Sequence, residues 1–397
     1  MTPHYGRVGA HCAAWHAASA PGYGRRMTDA RVLIAADKFK GSLTAVEVAA
    51  HLGAGLRRAA AGVRVSALPV ADGGDGTVDA AVAAGFERRT ARVTGPLGAP
   101  VTAAWALRDD TAVVEMAEAS GLRRLPPGRL APLTATSFGT GELLRAALDA
   151  GARTVVLGVG GSASTDAGAG MLAALGARLL DAAGRPVGPG GAGLAALVRA
   201  DLSGLDARLA ATDVVLASDV DNPLTGSAGA AYVYAPQKGA SAADVAALDA
   251  ALANAARVLG PAPASAPGAG AAGGVGYGAL VGLGAAFRPG IELLLETLGF
   301  DAALERTDLV ITGEGSLDAQ TLRGKAVAGV ARAAAARGVR VLAVCGRLAL
   351  SPEDLHDLGV ARAYALTDLQ PDVTRCITEA GPLLERLGER IGRDLLA

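Results

Sequence analysis

The chain has 397 residues, which at roughly 100 to 200 residues per unit implies two or three domains and room for a full hydrophobic core. It is 51% hydrophobic but only 3% aromatic, with 55 glycines that follow no three-residue period, so collagen and disorder are excluded and the interior must be Ala, Val and Leu packed around many tight turns. A net charge of −1 excludes a global field that would recruit nucleic acid or an anionic membrane, and no uninterrupted apolar run of about 18 residues marks a membrane span.

Residues 1–26 carry His4, His11 and His16, and the two later histidines interrupt the apolar core of roughly 7 to 15 residues that a signal peptide needs. This segment reads as a disordered or misannotated extension ahead of Met27. From Arg31 onward short β-branched runs alternate with Ala/Leu-rich stretches, the pattern of βαβ units and an α/β fold with a parallel sheet. A strand at 32–35 is followed by a loop holding Lys38, Lys40 and Ser42. Thr44 and Glu47 then form a capping-box pattern before Val48, Leu52 and Leu56 recur at helical spacing. A strand at 65–70 runs into Asp72-Gly73-Gly74-Asp75-Gly76-Thr77 and a helix at 78–84.

Further on, the spacing gives a helix at 143–150, a strand at 154–159, a polar loop from Gly160 to Asp166 and a helix near 171–177. A strand at 214–217 ends at Ser218-Asp219-Val220-Asp221-Asn222-Pro223, where proline stops the ladder. Residues 259–278, rich in Pro, Ala and Gly, read as a long loop. A strand at 309–311, a helix at 326–336 and a strand at 339–344 complete the pattern. Cys12, Cys345 and Cys376 are odd in number and widely spaced, without a Cys-x-x-Cys pair, which fits a reducing cytoplasm.

In parallel α/β sheets ligands sit at the carboxyl ends of strands, and the loops there are the polar, glycine-rich ones. The chain has four lysines against thirty-three arginines, and Lys38, Lys40, Lys238 and Lys325 all lie in or beside such loops or turns, as a phosphate contact by a compact ammonium would require. Asp72, Asp75, Asp166, Asp219, Asp221, Glu314 and Asp318 put carboxylates in the same loops. Carboxylates for magnesium, cations for phosphate and a carboxylate for the hydroxyl proton are the parts of a phosphoryl-transfer site. A Walker A motif is absent. The stretch from Gly158 to Ala163 with Asp181 matches a dinucleotide-binding fingerprint, so an NAD-dependent 2-hydroxy acid dehydrogenase is the competing enzyme, and a non-catalytic hydroxy-acid binding protein the competing binder. Gly268 to Gly273 matches the same fingerprint without a preceding strand. Neither His51 nor His356 has a nucleophile partner, so a hydrolase triad is not indicated.

Taken together, Asp37-Lys38-Phe39-Lys40-Gly41-Ser42-Leu43, Ala71 to Thr77, Glu115-Met116-Ala117, Ser137 to Glu142, Gly160 to Met171, Asp219 to Gly226, Pro236 to Ala240, Pro267 to Gly274, Thr312 to Gly315 and Gly324-Lys325 resemble, in order, the bacterial glycerate kinase family. The chain departs from it at Lys38, Thr165 and Ser218, where the family more often has Ser, Asn and Cys. The resemblance implies a Rossmann-like domain formed from both chain ends, 27–93 and 289–397, with a second α/β domain, 94–288, inserted between them. It implies ATP- and Mg2+-dependent phosphorylation of D-glycerate, with 2-phosphoglycerate favoured; the cysteine usage fits a cytoplasmic enzyme, and the sequence leaves a homodimer open. For the site it implies that Asp72 with Asp75, or Asp219 with Asp221, holds magnesium, and that Lys40 and Lys325 contact phosphate or the glycerate carboxylate. Asp166 or Asp221 would take the hydroxyl proton. Ser42, Gly160, Gly161, Ser162, Ser164, Lys238 and Glu314 would line the substrate and phosphate, with the amides of residues 160–164 adding anion contacts.

Overall fold

The computed structural model describes residues 29–323 and 326–395; the segment 1–26 and Lys325 lie outside the described residues. Its strands are β1 (Arg31–Ala36), β2 (Arg64–Ala67), β3 (Glu87–Thr94), β4 (Pro100–Arg108), β5 (Thr111–Glu115), β6 (Thr154–Gly158), β7 (Arg178–Leu180), β8 (Arg199–Asp201), β9 (Asp213–Ala217), β10 (Ala286–Arg288), β11 (Leu309–Leu317), β12 (Arg340–Leu348) and β13 (Arg362–Ala365). One sheet has the order β13-β12-β11-β1-β2 and is wholly parallel. The other has the order β10-β9-β6-β5-β4-β3, parallel from β10 to β5 and antiparallel through β4 and β3. Strands β7 and β8 form a separate small ribbon.

Alternation along β1 decides which layer each residue joins. Val32, Ile34 and Ala36 face the helices Ala45–Ala59 and Ala380–Leu395, whose Leu52, Leu56, Leu384 and Leu387 complete that layer. Leu33 and Ala35 face the opposite way, into a core shared with Ala104, Ala106, Val113 and Val156 of the second sheet. Helices Thr77–Ala83 and Gly290–Leu298 supply Val78, Ala81, Ile291 and Leu294 to that shared core. The far face of the second sheet is covered by helices Phe138–Asp149 and Ala169–Ala174 through Leu143, Leu144, Met171 and Leu172. The parallel sheet and the parallel part of the mixed sheet thus have helices on both faces, as their apolar strands demand.

Several sequence expectations change. Strand β3 pairs with β4, so a boundary at 93/94 falls inside a strand and the chain enters the second sheet at Glu87. The antiparallel β3–β4–β5 stretch has no strong sequence signature, because β3 is an arginine-rich edge strand with most of its residues exposed. The expected loop at 259–278 instead contains a 3-10 turn, Ala262–Ser265, and the start of helix Ala271–Leu283. That helix is kinked by Ala272, Gly273 and Gly274 in the left-handed region. The kink lets the backbone meet loop 162–168: Ala167 N–H donates to Gly273 O at 3.1 Å, and a Cβ on Gly273 would stand 2.2 Å from Ser164 O.

Candidate functional site

The carboxyl edges of the two sheets meet where the loops after β1, β2, β6, β9 and β11 come together. Loop 72–76 is the hub. Its backbone touches the loop after β6, with Gly160 N–H donating to Gly73 O at 3.0 Å, and a Cβ on Gly160 would lie 2.5 Å from the Cα of Gly74. Only glycine permits that approach. On the other side Lys38 Nζ donates to Asp75 O at 2.6 Å, while Asp37 N–H donates to Gly313 O at 2.8 Å and ties the end of β1 to β11.

These contacts bring a series of carboxylates together. Asp37 is 8% exposed and is pushed up to about 6, by burial first, with Lys38 opposing and Asp72 and Glu314 adding repulsion. Asp219 meets solvent on one side but is also raised to about 6. Lost hydration is the main cause, the Gly290 amide opposes it, and Asp72 and Glu292 push further upward. Asp219 Oδ1 accepts from Gly290 N–H at 2.7 Å, at the start of helix Gly290–Leu298. Glu314, Asp37, Asp72 and Asp219 therefore form a chain of interacting negative charge from the first sheet to the second. Lys40 lies exposed on the loop after β1, where the backbone of Gly315 passes close to its amide.

Among the described residues no group of three or more His, Cys, Asp or Glu is spaced to hold a metal ion. Magnesium bound beside a nucleotide usually takes only one or two carboxylates, the rest of its shell being phosphate and water. Asp72 and Asp219 suit that role, since each lies in the other's field and a divalent cation would relieve the repulsion that adds to the effect of burial on Asp219.

Other expected residues sit elsewhere. Asp75 does not join Asp72 and Asp219: Arg123 Nη1 stands 3.6 Å from its Oδ1. Asp221 is exposed and its charge bears on Tyr234, away from Asp219's partners. Ser42 Oγ donates to Phe39 O at 3.1 Å and shapes the turn after β1. Glu314 Oε1 accepts from Thr321 Oγ1 at 2.7 Å. Two amides in the 160–164 stretch are already taken, Gly160 by Gly73 O and Ala163 by Ser120 O, so they cannot hold an anion as expected.

Asp166 and Lys238 differ most from expectation. Asp166 is 1% exposed; Oδ2 accepts from the Ser137 amide and hydroxyl, both at 2.9 Å, and from Gly170 N–H at 3.3 Å, while Oδ1 accepts from Gly168 N–H at 3.2 Å. Burial raises its pKa and these donors oppose the rise. Lys238 is equally buried, donating to Ser162 Oγ at 2.9 Å and Ser164 O at 2.5 Å; burial lowers it to about 7, against the opposing charge of Asp166. Both groups are sealed from solvent. They hold the loop from Ser162 to Gly168, in which Ala167 is itself strained at φ 55°.

The sequence pattern gave Asp37, Glu115 and Arg123 no role, and Lys38 stood only among the four loop lysines. A carboxylate at the carboxyl end of a buried apolar strand, the last residue for Glu115 and the next one for Asp37, is the signal for both. Glu115 is 1% exposed and accepts from Gly76 N–H and Val78 N–H, both at 3.1 Å. Burial pushes it up to about 7, with Arg123 and the Val78 amide opposing.

The dinucleotide-binding alternative fails on geometry. Asp181 is bonded to Arg185 at 3.0 Å in a surface turn rather than facing a cleft, and the helix after Gly158–Ala163 begins only at Ala169. The second glycine match, Gly268 to Gly273, is the kinked entry to helix Ala271–Leu283. A family model described as the glycerate kinase family matches residues 32–396. The chain is 42% identical over 372 residues to a glycerate kinase of Bacillus subtilis (strain 168), covering 92% of this chain and 97% of that one. It is 43% identical over 344 residues to a glycerate 2-kinase of Escherichia coli (strain K12), covering 85% and 90%. A crystal structure from Salmonella typhimurium LT2 assigned as glycerate kinase 2 superposes with a TM-score of 0.79 at 41% identity, covering 92% of this chain and 98% of that one.

Proposed function

The chain belongs to the glycerate kinase family, and on that premise we propose that it transfers the terminal phosphoryl group of ATP to a hydroxyl of D-glycerate where the two sheets meet, with 2-phosphoglycerate as the product. The observation that carries the reading is the run of charge from Glu314 through Asp37 and Asp72 to Asp219, flanked by Lys38 and Lys40 at the carboxyl edges of both sheets. The likeness to a glycerate 2-kinase supports the regiochemistry. Asp72 and Asp219 would hold magnesium, which when bound neutralises charge on the transferring phosphate oxygens. Lys40, free at the cleft edge, meets phosphate or the glycerate carboxylate. Lys325 keeps the phosphate role that the sequence resemblance implies.

Asp37, held near pKa 6, is a better acceptor for the hydroxyl proton than Asp166, whose oxygens are enclosed and already bonded. A general base works best with a pKa near the operating pH. Asp166 and Lys238 are positioning residues for the loop after β6. The test is ADP release with ATP, Mg2+ and D-glycerate, followed by phosphorus NMR of the product. D37N should lower kcat by about 10^2-fold or more with little change in KM. Turnover that does not need glycerate would overturn the substrate; a 3-phosphoglycerate signal would overturn the regiochemistry; full kcat in D37N would remove Asp37 as base.

A further inference from the structure

We propose that Glu115 and Arg123 form a positioning unit that fixes loop 72–76 to the second sheet and thereby sets where the Asp72 carboxylate stands. This rests on the reading of Asp72 and Asp219 as the magnesium holders. Within the loop, the hydrogen bonds are local ones, Asp72 Oδ1 accepting from Gly74 N–H at 3.2 Å and Thr77 Oγ1 donating to Gly74 O at 2.7 Å. What anchors it to the second sheet comes mainly from residues distant in sequence. Glu115, at the rigid end of β5, receives the Gly76 and Val78 amides on one oxygen, and its other oxygen accepts from Arg123 at 2.8 Å.

Arg123 then spans to Glu118, with which it is hydrogen-bonded, and to Asp75. Asp75 Oδ1 is buried without a hydrogen-bond partner, and the guanidinium at 3.6 Å is the charge that offsets it. Only a planar group with several donors serves three carboxylates at once. Removing it leaves Asp75 uncompensated and Glu115 without its counter-charge, which weakens the hold that Glu115 keeps on the Gly76 and Val78 amides. Asp72 then no longer stands in a fixed relation to Asp219.

The test uses Mn2+ alone as the probe, titrated into the full chain by loss of the free-ion EPR signal. It compares wild type, R123A, R123K, E115Q and D72N, with circular dichroism of each. Arg123 is 39% exposed at its side chain, so R123A is expected to fold. R123A and E115Q should weaken Mn2+ binding about tenfold, the low end for residues supporting metal ligands. R123K should recover part of the loss, and in turnover the Mg2+ requirement of R123A should rise more than its KM for glycerate. If D72N loses Mn2+ while a folded R123A binds it as wild type does, the positioning unit is refuted and the reading of Asp72 stands. If D72N binds Mn2+ as wild type does, the magnesium assignment fails and this inference with it.

Discussion

Replacing Lys238 with methionine separates a buried positioning role from a direct phosphate contact. Lys238 donates to Ser162 Oγ and Ser164 O and faces the charge of Asp166 with 1% of its surface exposed. Methionine keeps the stem and removes the ammonium. That relieves the lost hydration of one charge but leaves the Ser164 carbonyl without this donor and Asp166 without an opposing charge. Leaving a buried acceptor without its donor typically costs about 1–3 kcal/mol. The middle of that range, about 2 kcal/mol, is a fall in Tm of about 2 °C for a chain of this size. The pH dependence has a definite sign. Lys238 is depressed from 10.5 to about 7, so between those values the unfolded chain binds more protons than the folded one. Its contribution is present above 10.5 and lost as pH falls through 7, so the gap between wild type and K238M should widen as pH rises through that window. Thermal unfolding followed by circular dichroism at several pH values, with steady-state kinetics in parallel, checks this. Adding D166N to K238M should restore part of the stability, because the two residues share one loop. An unchanged Tm at every pH with a raised KM for ATP would refute the positioning role and return Lys238 to the phosphate.

Three other outcomes follow from the site. Asp37 is raised from 3.8 to about 6, by burial first and by Asp72 and Glu314 after it, so the cost of its charge is absent below the lower value and fully present above the upper one. In EDTA, D37N should therefore raise stability by about 3 kcal/mol near pH 8 and by only about 0.5 kcal/mol near pH 4, read from urea midpoints; a constant offset across that range contradicts a buried Asp37 that ionises in the folded chain. G160A places a Cβ 2.5 Å from the Gly74 Cα and should destabilise by about 2 kcal/mol while raising the Mg2+ requirement, because it displaces the loop that carries Asp72; normal Mg2+ activation would argue against the contact between the loops after β2 and β6. D219N should lower kcat about 10^2-fold at fixed Mg2+ with little change in folding, and recovery at high Mg2+ would mark a binding loss rather than a lost catalytic step.

The amino-acid sequence by itself determined the α/β class and the family. The unbroken apolar run Val32-Leu33-Ile34-Ala35 marks β1 as a strand buried on both faces, and Thr44 with Glu47 marks the start of helix Ala45–Ala59, whose capping box is formed. These signals are local, so one strand or one turn is enough to carry them. The charged loops after β1, β2, β6 and β9 were also legible, since short polar segments after apolar strands can hardly be anything else. What only the tertiary structure decided is which of those charges share space and which are sealed away. Asp166 and Lys238 carry the same formal charges as Asp219 and Lys40, yet helix Ala271–Leu283 with its kink closes over the first pair and leaves the second at the cleft. Burial and electrostatic coupling depend on contacts between residues as distant as Asp72 and Gly290, and neither spacing nor residue type along the chain encodes them. The same reason hid Arg123: one arginine among thirty-three has no sequence mark, and it gains a role only where Glu115, Glu118 and Asp75 converge on it.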